Sequence, residues 1–206
     1  MKMNRVFSVL ILAVFTFSAL PALFAEEDAA APPMPAGFDP AKMAEAKIKG
    51  APSEHHKVLD SLAGDWNHTV TWKMGPDAAP QQSQGTNTNQ WIMGGRFLQS
   101  ESQGQMMGEP FHGMGILGYD NVKEEYTSVW IDDMSTGMMS STGQYDEASK
   151  TISEKGTFSC PMTGEKNMEY RAEWKITDPN QYSYSMYQKG PDGREFKGLE
   201  VVYTRK

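Results

Sequence analysis

The stretch Leu62-Ala63-Gly64-Asp65-Trp66 marks the point at which the chain changes from helical to extended structure. Gly64 follows a predicted helix over residues 53–63, and a positive φ at a helix end costs glycine nothing. From Trp66 onward the pattern has period two, so that His68 and Trp72 share a face with Trp66. This alternation predicts an antiparallel strand that is buried on one face.

About ten extended segments of this kind follow one another up to residue 205, separated by turn-rich stretches and without a helical pattern between them. Such a meander folds into an up-and-down barrel or a sandwich. The barrel is favoured, because closure leaves no exposed strand edge. We therefore predict an all-β fold, an antiparallel up-and-down β-barrel of about ten strands. One or two short helices, over residues 40–49 and 53–63, precede it.

The first 25 residues have the features of a signal peptide. Lys2 and Arg5 precede an apolar run of roughly fifteen residues, and Ala25 offers a small residue at the cleavage site. Residues 26–52 are rich in Ala and Pro at their start and predict a disordered tether with a short helix. Residues 53–206 would form the barrel domain. The sequence thus predicts an exported protein, periplasmic or secreted.

Charge and cysteine content exclude several classes of protein. The formal net charge is −7, and signal cleavage would remove two basic residues, so nucleic acid is not an expected partner. The chain has one cysteine, Cys160, and therefore no internal disulfide. We expect a monomer with no stable membrane insertion after cleavage, held together by packing.

The Gly64-Asp65-Trp66 opening resembles the Gly-x-Trp motif of lipocalin-like (calycin) barrels. In those barrels the tryptophan closes one end, and an arginine of the last strand lies over it. By this resemblance Arg205 is the partner of Trp66, and Gly64, Trp66 and Arg205 have structural roles.

Several motifs in one order resemble a bacterial exported family catalogued as domain of unknown function 1579. They are Glu54-His55-His56-Lys57, Gly94-Gly95-Arg96-Phe97-Leu98, Gly118-Tyr119-Asp120-Asn121, Trp130-Ile131-Asp132, Pro161-Met162-Thr163-Gly164 and Gly190-Pro191-Asp192-Gly193. The resemblance implies a calycin-like barrel in a periplasmic or secreted setting, and no established activity. The related haem-binding nitrobindin barrels use an axial histidine late in the chain. No histidine follows His112 here, which disfavours haem.

Parity along the strands predicts which side chains line the barrel. Polar groups share the inner faces with aromatic ones, and such a mixture is typical of a cavity that orients a ligand. We predict binding of a small, largely apolar ligand. The candidate ligand-binding residues are His68, Trp72, Asn89, Trp91, Glu101, Trp130 and Tyr184.

Other functions remain open at this point. A hydrolase- or isomerase-like enzyme could use His68 with Glu101 or Asp132, since an imidazole near a carboxylate titrates near neutral pH. The sequence contains no known catalytic motif and no metal-ligand spacing, so we assign no catalytic and no metal-binding residues. Fifteen methionines could bind copper, but a packing role or an adaptable lid at Met106-Met107 is favoured. A structural or interaction module of the cell envelope is the third alternative.

Overall fold

The structure is a computed structural model that describes residues 39–190 and 192–206. The predicted signal peptide and the predicted tether up to residue 38 lie outside the described residues. Residues 40–206 form one compact unit, in which short helices lead into a sheet.

Helical structure precedes the sheet in three pieces. Helix α1 spans Pro40–Lys49 as predicted, and helix α2 spans Glu54–Lys57. The predicted second helix does not run on to residue 63, because a 3₁₀ helix over Val58–Leu62 replaces its second half. Ser53 precedes α2 and forms a capping box with the His56 ring, which accepts from the Ser53 backbone N–H at 3.0 Å.

Ten antiparallel strands in the described residues pair with their chain neighbours, and β1 pairs with β10 to close the barrel. The predicted barrel of about ten strands is therefore confirmed. The strands are β1 Gly64–Trp72, β2 Gln81–Ile92, β3 Phe97–Met106, β4 Glu109–Asp120, β5 Glu125–Asp132, β6 Met139–Asp146, β7 Thr151–Phe158, β8 Met168–Asp178, β9 Gln181–Lys189 and β10 Glu195–Arg205.

The two ends of the barrel differ. At the end where β1 begins, Leu59 and Leu62 of the 3₁₀ helix are 0% and 1% exposed and belong to the core with Trp66. We call this the closed end. The backbone carbonyl of Leu62 accepts from Trp66 Nε1 at 2.9 Å and from Asn89 Nδ2 at 2.6 Å, which ties the helical segment to the sheet. We call the end where β1 finishes the open end.

Trp66 and Arg205 meet at the closed end through the pairing of β1 with β10. The Arg205 guanidinium lies 4.1 Å from the Trp66 ring centroid, a cation–π contact. Its Nη1 donates to the Ala63 carbonyl at 3.0 Å, and its Nε donates to the Pro179 carbonyl at 2.9 Å. Gly64, with φ +117°, leaves space for this guanidinium.

A Cβ atom at position 64 is expected to disrupt this contact. Gly64→Ala would place the Cβ 2.5 Å from Arg205 Nη1 at a positive φ, and should lower the free energy of unfolding by about 2–4 kcal/mol. The matched control is Gly108→Ala, at φ +88° with open space around it, which should cost about 1 kcal/mol. Urea unfolding measures both. Equal losses in the two variants would contradict a role for the Arg205 contact.

Candidate functional site

The strand register decides which residues line the inner wall. Trp66 faces the core, and its partner on β2 is Asn87, whose partner on β3 is Ser102. The pairing of the following strands places small residues on the inner wall in the middle of the barrel. They are Gly85, Ser100, Ser102, Gly104, Gly113, Gly115, Ser128, Ser141, Gly143 and Ala172.

Aromatic side chains pack directly over the glycines of this wall. A Cβ on Gly113 would collide with the Trp130 ring, and a Cβ on Gly85 would collide with the His68 ring. A Cβ on Gly156 would lie 2.7 Å from the Tyr170 hydroxyl. The glycines therefore let rings occupy the wall rather than the axis of the barrel.

Six of the seven predicted ligand-binding residues face the interior, and four of these, His68, Trp72, Trp130 and Tyr184, lie away from the helical segment at the closed end. His68 and Trp72 are 6% and 8% exposed, whereas Trp130 and Tyr184 are half-buried. Burial raises the pKa of Tyr184 well above its ordinary value, with Tyr170, Glu154 and Tyr203 as neighbours.

Asn89 and Trp91 face inward at the closed end, where their polar atoms already have partners. Asn89 Nδ2 donates to the Leu62 carbonyl and, at 2.9 Å, to the Tyr182 hydroxyl. Trp91 Nε1 donates to Asp60 Oδ1 at 2.9 Å. These two residues fasten the helical segment over the closed end.

The predicted inward orientation of Glu101 is wrong. Its partners are Thr88 and Met114 on the outer face, and its Oε2 lies 2.8 Å from His112 Nε2. Glu101 shares a face of β3 with Phe97, and an aromatic residue suggests an inner face, but the Phe97 ring covers Gly118 on the outside, where a Cβ would lie 2.6 Å from it. Leu98, 3% exposed, is the residue that faces the core.

The predicted acid–base pair is not formed in the described residues. Asp132 Oδ2 accepts from Trp130 Nε1 at 2.9 Å, and Asp132 Oδ1 accepts from the Met134 backbone N–H at 3.1 Å. Glu101 pairs with His112, and His68 Nδ1 has no hydrogen-bond partner within the described part of the chain. Neither carboxylate therefore activates His68 in this structure.

Glu154 is the inner-wall residue that sequence reasoning missed. It is 2% exposed, on β7, opposite Gly143 and Ala172. Its Oε2 accepts from Trp174 Nε1 at 3.0 Å, from Ser141 Oγ at 3.1 Å and from Ser128 Oγ at 3.4 Å. Its Oε1 has no partner among the described residues. Glu154 does alternate with Ile152 along β7, but a glutamate in a strand ordinarily faces solvent.

Burial dominates the electrostatics of this interior. It raises the pKa of the Glu154 carboxyl, against the opposite effect of the hydrogen bonds from Trp174, Ser141 and Ser128. It lowers the pKa of His68, which favours the neutral imidazole. Both shifts disfavour an isolated charge in the wall.

Methionines are concentrated in the loops at the open end. Met74 follows β1, Met107 follows β3, Met134 and Met138 lie between β5 and β6, and Met162 lies between β7 and β8. Each of these five side chains is exposed. Flexible thioether side chains around an opening make it adaptable in shape.

The described residues contain neither a cluster of metal ligands nor a membrane-spanning helix. In residues 39–190 and 192–206, no group of three or more His, Cys, Asp and Glu side chains could hold a metal ion. The helices within the same ranges are also too short or too polar to cross a membrane.

Residues 51–205 match the family model described as "Protein of unknown function (DUF1579)". The chain belongs to the DUF1579 family. No curated protein matches this DUF1579 chain in sequence.

Two solved structures resemble this DUF1579 barrel. Rv2717c from M. tuberculosis is 18% identical with a TM-score of 0.58, and the match covers 76% of this chain and 99% of that chain. The S-type phycobiliprotein lyase CPES from Guillardia theta is 10% identical with a TM-score of 0.50, covering 78% of this chain and 96% of that one. At these identities the likeness concerns the fold alone.

His68 is expected to make stability depend on pH. Because its folded pKa lies below 6.5, the unfolded chain binds a proton more readily, and stability falls as the pH decreases below about 6.5. His68→Phe keeps an aromatic ring and removes the titration, so its stability should fall less steeply in that range. Urea unfolding between about pH 5 and pH 8 measures the slope. His56 titrates with the same sign and remains in both proteins. Identical slopes would contradict the prediction.

Glu154 is expected to act in the opposite direction. The pKa of Glu154 is raised in the folded protein. Its protonated carboxyl group therefore contributes fully to the free energy of unfolding below about pH 4.5, and this contribution is lost as the pH rises through the folded pKa. The free energy of unfolding of Glu154→Gln minus that of the parent should therefore increase from acid to neutral pH. The same unfolding series measures it. A pH-independent difference would mean that Glu154 titrates normally.

Proposed function

We propose that the barrel binds a small, largely apolar ligand in its interior. The observation that carries this proposal is the set of buried polar atoms on the inner wall without partners in the described residues. They are His68 Nδ1, Trp72 Nε1, Ser83 Oγ and Glu154 Oε1. An unsatisfied buried polar group costs about 1–3 kcal/mol, which a ligand with matching polar atoms would offset.

The composition of the wall supports an apolar ligand with few polar atoms. The half-buried rings of Trp130, Trp174 and Tyr184 supply apolar surface on the inside of the sheet. The strand register places small residues between them, which would leave room for a ligand beside the rings. The fold likeness to a phycobiliprotein lyase is compatible with a barrel that handles small molecules.

Access would be through the open end. The closed end is covered by Leu59 and Leu62, whereas methionine-bearing loops surround the opposite end. Because methionine adapts its shape to different apolar partners, these loops would admit a ligand and then cover it. Of the pair Met106-Met107, predicted as a lid, Met107 belongs to this set, whereas Met106 is the half-buried last residue of β3.

We further propose that the protein acts outside the cytoplasm, as the signal-peptide features of residues 1–25 indicate. In an oxidising compartment the single Cys160 has no second cysteine in the chain with which to form an internal disulfide.

Native mass spectrometry of the protein purified from its own host tests both proposals. A discrete added mass that disappears on denaturation is expected, on a polypeptide that begins at residue 26. A protein without added mass that also fails to bind N-phenylnaphthylamine, a neutral apolar fluorescent probe, would contradict ligand binding. A polypeptide that retains residues 1–25 would contradict cleavage.

Filling the interior should abolish probe binding. Met186 faces inward on β9 opposite Ala172, so Met186→Trp adds bulk inside the barrel and should reduce probe affinity at least about tenfold. Thr157→Trp adds the same ring to the outer face of β7 and is the matched control. Probe titration of both variants, after a thermal melt to verify folding, gives the comparison. Equal affinities would place the probe on the outer surface.

A further inference from the structure

Glu154 has an asymmetric set of partners. Its Oε2 receives three donors, from Trp174 on β8, Ser141 on β6 and Ser128 on β5. Ser128 and Ser141 are cross-strand partners with their hydroxyl oxygens 2.6 Å apart, so the register of β5 and β6 fixes both. The carboxyl group is therefore held in one orientation, with Oε1 buried and without a hydrogen-bond partner in the described residues.

The donors on Oε2 stabilise a negative charge, but no positive charge stands beside it. Among the described strands, the inward-facing positions carry no lysine, and Arg205 is engaged with Trp66 at the closed end. The titratable side chains that face Glu154 are Tyr170 and Tyr184, and burial favours the neutral form of each. His68 on β1 is likewise held neutral by burial. A cation that pairs with Glu154 has to come with the ligand.

Aromatic rings surround the same region. Trp174 and Tyr184 have ring centroids 4.5 Å apart, and Trp174 is also the donor to Glu154. The face of an aromatic ring is electronegative and attracts a cation, most strongly where water is excluded. A carboxyl group beside such rings, in a wall without lysine, is complementary to an organic ammonium group rather than to an anion.

We propose that the interior ligand is a small apolar amine whose ammonium group hydrogen-bonds to Glu154 Oε1 while its apolar part lies against the aromatic wall. This inference rests on the proposed interior binding site. The acidic net charge of the protein also favours the approach of a cation. Pairing with the ammonium favours the ionised carboxylate, and a proton that is displaced from Glu154 passes to solvent.

The test compares three probes of similar size that differ in charge, namely phenethylamine, phenethyl alcohol and phenylacetate. Isothermal titration at neutral pH should give at least about tenfold tighter binding of the amine than of the alcohol. Phenylacetate should bind more weakly than either. Titration at about pH 5 in two buffers of different ionisation enthalpy should show net proton release for the amine and none for the alcohol, because the raised pKa of Glu154 leaves the free carboxyl group partly protonated there. An amine that binds no better than the alcohol, or that releases no proton, would overturn the proposal.

Glu154→Gln keeps the shape of the side chain and removes the charge. It should weaken phenethylamine binding about 100-fold and leave the alcohol within a few-fold. Glu169→Gln, on the exposed face of β8, is the matched control and should bind all three probes as the parent does. If Glu154→Gln retains the amine affinity, the Glu154 carboxylate does not pair with the ammonium group, and the proposal is wrong. The comparison of probes on the parent protein decides the matter even if this variant does not fold.

The experiments distinguish failure of the interior binding site from failure of the proposed ligand class. Binding of N-phenylnaphthylamine that Met186→Trp blocks would establish an interior site whatever the amine result. Loss of amine selectivity alone would then overturn the ligand class and leave the interior site intact.

Discussion

The pairing of β1 with β10 is the constraint on which the rest of the structure depends. It closes the sheet, so that no strand edge among the ten is left unpaired. It also brings Arg205, from the end of the chain, over Trp66 near the start of the barrel. Because Arg205 also bonds the carbonyls of Ala63 and Pro179, one side chain joins the helical segment, the first strand and the turn before β9.

Closure creates an interior, and glycine and serine residues decide what that interior is like. A ten-stranded barrel has more internal volume than an eight-stranded one, and large side chains directed at the axis would fill it. Here the rings of His68, Trp130 and Tyr170 lie over Gly85, Gly113 and Gly156 instead. The aromatic surface is thereby presented to the interior as a wall.

Within this wall Glu154 is the residue that most restricts what can bind. A buried carboxyl group is expensive unless its charge is compensated, and three hydrogen bonds to one oxygen compensate it only in part. Burial raises the pKa of this carboxyl group, and a cation beside it would favour the ionised form, so its ionisation and the binding of a cationic ligand are linked.

The sequence by itself determined the strands and their order. The period-two pattern, the turn residues and the Gly64-Asp65-Trp66 opening give ten strands close to those observed, because local alternation and turn chemistry are properties of neighbouring residues. The same patterns correctly predict an inner-face position for six candidate residues, namely His68, Trp72, Asn89, Trp91, Trp130 and Tyr184.

Only the tertiary structure decided which polar residues share the interior. Phe97 suggested the wrong face for Glu101. An aromatic ring can lie on the outer face of the sheet when the neighbouring strand has a glycine beneath it, as Gly118 lies beneath Phe97. Glu154 looked like a surface residue, and its donors on β5, β6 and β8 are brought to it only by strand pairing. Whether a carboxylate is solvated or enclosed depends on contacts between distant residues, and alternation along one strand does not encode them.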